Sequence, residues 1–179
     1  MSDLGPLLIA AVGVVGTLLS PVVTTRLSAR LQRDQFAQQR ALAGNARQEE
    51  ERRTARAEKR ACYVALNSAS RRYRVVQLNY LHALEDGLLT EDGRRDMEDA
   101  RRAHGAAVAE AQMTAAARVL DELEGVTTAL SRSYRRIRAV ESGHPEPDGS
   151  YPQLRAELLA MWDDWTALRA EMRSDLGVD

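Results

Sequence analysis

The sequence predicts an all-α protein in three parts: an N-terminal transmembrane helix at 1–25, a polar helical stalk at 26–57 and an antiparallel three- or four-helix bundle at 58–179. Three observations support this prediction. A long run near the N-terminus has no ionisable side chain, and apolar residues further on recur at alternating steps of four and three, as in packed helices. Alternating β-branched runs, which are typical of strands, do not occur.

The predicted anchor is Leu4–Thr25, a run of 22 residues without an ionisable side chain. As a helix it would span about 33 Å, against about 30 Å for the hydrocarbon core of a bilayer. Two alternatives stay open. A signal peptide would have a positive N-terminal region, whereas Met1–Asp3 contains no Lys or Arg. A buried helix of a soluble protein is the second, because Pro21 and the glycines weaken the segment.

Basic residues follow the anchor directly, namely Arg26, Arg30 and Arg33. The positive-inside rule therefore predicts a single-pass protein of the bacterial inner membrane with its C-terminal domain in the cytoplasm. We expect these arginines to meet anionic lipid headgroups at the inner surface. Within the anchor, two pairs of small residues lie four apart, which lets helices approach closely and predicts a homo-oligomer. The pairs are Gly13 with Thr17 and Gly16 with Ser20. The alternative is that small residues are simply common in spanning helices.

The stalk is rich in Gln, Arg and Glu and consists mostly of good helix formers. Glu49 precedes Arg53 by four residues, a spacing that stabilises an exposed helix. Gly44 and Asn45 are expected to interrupt its apolar stripe. The charge run favours a solvated helix face, and a stalk that oligomerises is the alternative.

Each bundle helix is predicted from its apolar positions. The first has a seam at Cys62, Leu66, Ala69, Tyr73, Val76, Tyr80 and Ala83; the second has Met97, Ala100, His104, Ala107 or Val108, Ala111 and Ala115. The third has Leu120, Leu123, Thr127, Leu130, Tyr134 and Ile137; the fourth has Leu154, Leu158, Met161, Trp165, Leu168 and Met172. These spacings predict helices that pack against one another.

The ends of these helices also have sequence signals. Gly87 is predicted as a C-cap and Thr90 as the next N-cap. A break or kink is predicted around Asp121–Gly125, and the loop Ser142–Pro152 separates the last two helices.

No catalytic or metal-binding constellation is predicted, so we expect no enzyme and no cofactor. The one Glu-x-x-His spacing, Glu141–His144, lies at a loop, whereas di-iron bundles need several such groups pointing inward. His104 lies on an apolar stripe and His82 beside one. Cys62 is expected to be a small core residue rather than a nucleophile. Trp162 and Trp165 are predicted at the core and its edge.

Two clusters of arginines surround tyrosines of the predicted seams and are the most basic parts of the predicted bundle. They are Arg71, Arg72 and Arg74 beside Tyr73, and Arg132, Arg135, Arg136 and Arg138 beside Tyr134. Together they would form one patch for an anionic partner or membrane; the alternative is scattered arginines covering the core. With Lys+Arg 25 and Asp+Glu 26, the chain has a net charge of −1, which argues against a nucleic-acid partner.

The layout resembles small actinobacterial single-pass membrane proteins with a cytoplasmic, coiled-coil-like helical domain. The residues that carry the resemblance are Val12–Gly16, the Arg/Gln-rich Arg26–Arg60, and Arg60–Leu66. The resemblance implies an inner-membrane location and no particular activity. Because the sequence has an anchor, a polar stalk and no recognisable catalytic site, we expect a non-enzymatic, membrane-anchored scaffold or adaptor with a protein partner. The alternatives are an oligomeric membrane-acting effector or small pore, and a transmembrane signalling module.

Overall fold

The computed structural model describes the backbone of residues 5–178 and the side chains of 36, 38–40 and 42–178. This part of the chain contains four helices and no strand. They are α1 (Gly5–Glu85), α2 (Glu91–Thr114), α3 (Ala117–Glu141) and α4 (Tyr151–Asp175). The all-α prediction is confirmed, and the bundle has four helices.

α1 runs without a break through Gly44 and Asn45, and their expected interruption of the apolar stripe stays a prediction. One glycine costs about 1 kcal/mol relative to Ala, which good helix formers on both sides offset. The helix ends where the sequence predicts. Gly87 has a φ of 69°, a backbone conformation that favours glycine, and Leu88 N–H donates to the Ala83 carbonyl at 2.8 Å.

The chain divides into two compact units, Met1–Arg53 and Thr54–Asp179. In the first unit every described side chain is exposed, including Phe36 at 60% and Leu42 at 68%. Arg53 pairs with Glu49 at 3.3 Å, as the spacing predicts.

The predicted anchor lies in this first unit. Its backbone is helical from Gly5, but its side chains lie outside the described residues. The predicted association positions Gly13, Gly16, Thr17 and Ser20 lie outside them as well, as do the predicted membrane-surface positions Arg26, Arg30 and Arg33. Among the residues that were described, no helix is long and apolar enough to cross a membrane.

In the second unit, contacts between helices define an antiparallel bundle. α1 and α4 run in opposite directions, because Tyr63 contacts Asp175 while Arg74 Nη1 donates to the Leu158 carbonyl. α1 and α2 are also antiparallel, with Cys62 next to Thr114 and Ser70 next to His104. Two further contacts, Gln77 with the Leu130 carbonyl and Tyr80 with Arg138, show that α3 runs parallel to α1. Successive helices therefore alternate in direction.

The core matches the predicted seams best in α4, where all six predicted positions are buried. On α1 the buried face is wider than predicted, because it also includes the polar residues Ser70 and Gln77. On α3 the buried face is displaced by one residue at several turns. It consists of Val119, Leu123, Val126, Leu130, Ser133, Arg136 and Ile137.

The break between α2 and α3 falls at Ala115 and Ala116 rather than at the predicted Asp121–Gly125, so that prediction is wrong. Both alanines are extended, with ψ of 151° and 153°. Neither Gly nor Pro marks the break. The chain reverses there so that Ala111 and Val119, one on each side, are both fully buried. Gly125 lies inside α3, with open space where a Cβ would be.

Candidate functional site

A cleft of about 520 Å³ lies between α1 and the C-terminal end of α4. Four arginines line it, Arg56 and Arg60 from α1 and Arg169 and Arg173 from α4. We call it the arginine cleft. Each pair is four residues apart, so each pair lies on one face of its helix, one turn apart. The antiparallel packing of α1 and α4 brings the two faces together.

The arginine cleft has an apolar lining between its cations. Val64 is 59% exposed and Val178 is 50% exposed, although both are hydrophobic. The other apolar lining residues are Met172 and Leu176. Exposed apolar surface bordered by polar groups is typical of a binding site. Asn67 also lines the cleft, and its buried Oδ1 accepts no hydrogen bond from any described residue.

None of the four cleft arginines pairs with an acid among the described side chains. Asp175, an acid at this end of α4, is already engaged. It accepts a hydrogen bond from Tyr63 Oη at 2.5 Å and pairs with Lys59 Nζ at 3.0 Å. The Tyr63 hydrogen bond lowers the pKa of Asp175, and Lys59 lowers it further. The negative charge of Asp175 is therefore compensated by Lys59 and not by an arginine of the cleft. Guanidinium groups that are not bonded to Asp175 can donate hydrogen bonds to an anionic ligand.

The predicted arginine patch contains residues in three different situations. Arg136 is buried, with 6% of its side chain exposed; it pairs with Glu157 and with Glu146 at 3.3 Å, and it donates to the Asp148 carbonyl. Arg74 donates to the Leu158 carbonyl at 3.1 Å and stacks over the Trp162 ring, 5.8 Å from its centroid. The Arg74 guanidinium therefore links α1 to α4, and the Arg136 guanidinium links α3 to α4 and to the loop between them.

Arg138 is exposed but bonded to Glu141 and to Tyr80 Oη, the latter at 3.2 Å. The remaining members of the predicted patch are exposed. They are Arg71, Arg72, Arg132 and Arg135. The structure thus divides the predicted set into residues bonded within the fold and residues that face solvent.

Other predicted positions have clear environments. Cys62 is 3% exposed, and Thr114 Oγ1 lies 3.3 Å from its Sγ, so it is a core residue. Trp165 is buried, but Trp162 is 51% exposed, so its prediction as a core residue is wrong. Trp162 packs against Arg74 instead. His82 is exposed and lies 3.5 Å from Asp86.

His104 lies in the core, as its position on an apolar stripe predicts, and is 4% exposed. Its Nδ1 lies 3.1 Å from Ser70 Oγ. Ser70 donates its own hydroxyl proton to the Leu66 carbonyl at 2.8 Å. Ser70 therefore accepts from His104, which assigns the imidazole proton to Nδ1. Within the part of the chain that the structure describes, the buried Nε2 of His104 has no hydrogen-bond partner.

Burial lowers the pKa of His104 below its ordinary value of 6.5. The unfolded chain therefore takes up a proton near pH 6.5 that the folded chain does not. The contribution of the neutral His104 to the free energy of unfolding is fully present above pH 6.5. As the pH falls below 6.5, the free energy of unfolding decreases by up to about 1.4 kcal/mol per pH unit. We expect the urea midpoint of the full chain to be lower at pH 5.5 than at pH 7. In His104→Gln this difference should shrink, and in the exposed control His82→Gln it should persist. Equal wild-type midpoints at both pH values would contradict the prediction.

Comparison with protein-family models, with curated proteins and with solved structures gives no match to this chain. The resemblance to small actinobacterial membrane proteins therefore stays a prediction.

The four arginines of the cleft were not predicted from the sequence. The predicted arginines are clustered along the chain, whereas these four come from helices that are far apart in sequence. One sequence pattern could have indicated them. Arg56 with Arg60, and Arg169 with Arg173, place like charges four apart on a helix, which is destabilising without a compensating partner.

Proposed function

We propose that this protein is a non-enzymatic, membrane-anchored helical adaptor, and that its bundle binds an anionic partner protein through the arginine cleft. The observation that supports the proposal is one cleft that combines exposed apolar side chains with four arginines, none of which pairs with an acid among the described side chains. Guanidinium groups recognise carboxylates by paired hydrogen bonds, and apolar surface adds affinity once it is covered. Such a lining suits binding rather than bond-breaking chemistry.

The anchor is part of the proposal. The run Leu4–Thr25 has the length and composition of a single span, and Arg26, Arg30 and Arg33 favour a cytoplasmic location for everything after it. A tether raises the effective concentration of the bundle near membrane-bound partners. Self-association through the small residues of the span would add further copies of the cleft.

One experiment tests both parts. A photo-crosslinking amino acid is placed at Val64, inside the cleft, or at Val75, a control position on the same helix that is 40% exposed and does not line the cleft. Bacterial cells that produce the full chain are irradiated and fractionated. We expect a discrete heavier product from position 64, found with the membranes, and none from position 75.

The same label in a chain that begins at Arg26 serves as the control for the anchor. We expect that chain in the soluble fraction. The binding proposal fails if positions 64 and 75 give the same products. The anchor proposal fails if both chains fractionate alike.

A further inference from the structure

The arginine cleft has an elongated shape, and this shape restricts the kind of partner that it can bind. On α1 the lining residues follow one another at steps of four, four and three, from Arg56 through Arg60 and Val64 to Asn67. On α4, Arg169 and Arg173 lie one turn apart. The cleft is therefore a groove that runs along two packed helices. At 1.5 Å per residue, the α1 wall is about 16 Å long, or about three helical turns.

A groove between two helices is a place where a third helix packs. Ridges of side chains on the incoming helix lie in the furrow between the first two, with axes 8–10 Å apart as a general range. Val64 and Leu176 offer the apolar contact that such a helix needs along its centre. Their partners would be apolar residues three and four apart, the usual anchors of helix-in-groove recognition.

The charges define the flanks of that helix. Arg56 and Arg60 lie on the α1 wall, in the same row as Val64, and Arg169 and Arg173 lie on the α4 wall, so a bound helix meets cations from both walls. Acidic residues on both flanks would meet them, in the same way that charged positions beside a coiled-coil seam select partners. A basic or neutral helix would leave four arginines partly desolvated and unpaired.

A membrane surface fits the groove less well. Lipid headgroups present a broad plane, which suits arginines that project from a flat or convex face with the apolar side chains pointing outward. Here the apolar side chains lie between two walls. The concave shape favours a narrow elongated ligand that can fill the groove.

We propose that the arginine cleft receives an acidic amphipathic α-helix of about three turns from a partner protein. This inference rests on the proposed function, because it specifies the chemistry of the partner at the same site.

The test uses the full chain in a non-ionic detergent and a fluorescein-labelled synthetic peptide of about 14 residues, with leucines spaced three and four apart and glutamates on both flanks. A peptide of the same composition in scrambled order is the control for the amphipathic pattern. We expect the ordered peptide to bind, to gain helical circular dichroism, and to bind at least tenfold more tightly than the scrambled one. Binding should weaken as salt is added.

Two protein variants locate the binding. Arg169→Glu with Arg173→Glu reverses two charges of the cleft, and we expect it to weaken peptide binding at least tenfold. Arg132→Glu with Arg135→Glu makes the same change at exposed positions on α3, outside the cleft lining, and we expect less than a twofold effect. Equal losses in the two double variants, or equal binding of the two peptides, would overturn the inference.

A short-chain anionic phospholipid, dihexanoyl phosphatidylglycerol, tests the other class of ligand. If it displaces the peptide at lower concentration than unlabelled peptide does, and if Arg169→Glu with Arg173→Glu abolishes its binding, the site is for lipid and the inference is wrong. A crosslink from Val64 without peptide binding would overturn only the helix inference. Peptide binding without a crosslink from Val64 in cells would overturn only the proposed function.

Discussion

Leu158→Ala should lower the free energy of unfolding by about 3 kcal/mol, since substitutions of this kind in a core cost about 2–5 kcal/mol. Leu158 is fully buried in the middle of α4. Removing its isobutyl group takes apolar surface out of the core and leaves a cavity that the surrounding helices fill only in part. The loss should appear as a lower urea midpoint for the full chain, followed by tryptophan fluorescence, to which the buried Trp165 contributes.

The neighbouring residue gives a matched control. Leu159 has the same side chain on the same helix but is 55% exposed. Leu159→Ala should change the free energy of unfolding by no more than about 0.5 kcal/mol. If the two substitutions had similar effects, the assignment of the core-facing side of α4 would be incorrect.

Arg136→Ala should cost about 2–3 kcal/mol of stability. The guanidinium is buried, donates hydrogen bonds to Glu157 and to the Asp148 carbonyl, and lies 3.3 Å from the Glu146 carboxylate, so it joins α3, α4 and the loop between them. Loss of a buried ion-pair partner generally costs about 3–5 kcal/mol. We expect less here because Glu157 and Glu146 are 40% and 57% exposed, and water can solvate them once the arginine is gone.

Arg135→Ala is the control, because Arg135 is the adjacent residue of α3 and is exposed. Its effect on the urea midpoint should be within about 0.5 kcal/mol of zero. Limited proteolysis gives a second readout, since Arg136→Ala should speed cleavage within Ser142–Gly149 and Arg135→Ala should not. A stable Arg136→Ala protein with a protected loop would show that the ion pairs contribute little.

Much of the fold follows from local signals. The six apolar positions of α4 are all buried because a helix with that spacing has only one apolar face to bury. Gly87 and Thr90 mark helix ends because their local backbone and hydrogen-bonding preferences act without tertiary contacts. Where local signals were weak, as at Ala115 and Ala116, the sequence analysis placed the break incorrectly.

The site was less predictable than the fold. Arg136 and Arg135 are adjacent in sequence and identical in type, yet one is buried and the other is exposed. Periodicity identifies the face of a helix that is apolar, but it does not show which arginine will hydrogen-bond to the next helix and to the loop before it. The cleft presents the same difficulty, because Arg60 and Arg173 are distant in sequence and lie at one site only through the antiparallel packing of α1 and α4.

The helical character of this protein, most ends of its bundle helices and the buried face of α4 can all be predicted from the amino-acid sequence. These properties depend on side-chain spacing within one helix, and the chain contains that information locally. In contrast, the packing of the helices determines which arginines are bonded within the fold and which four line an apolar cleft. Those outcomes depend on the direction and register of neighbouring helices, which no single stretch of sequence contains.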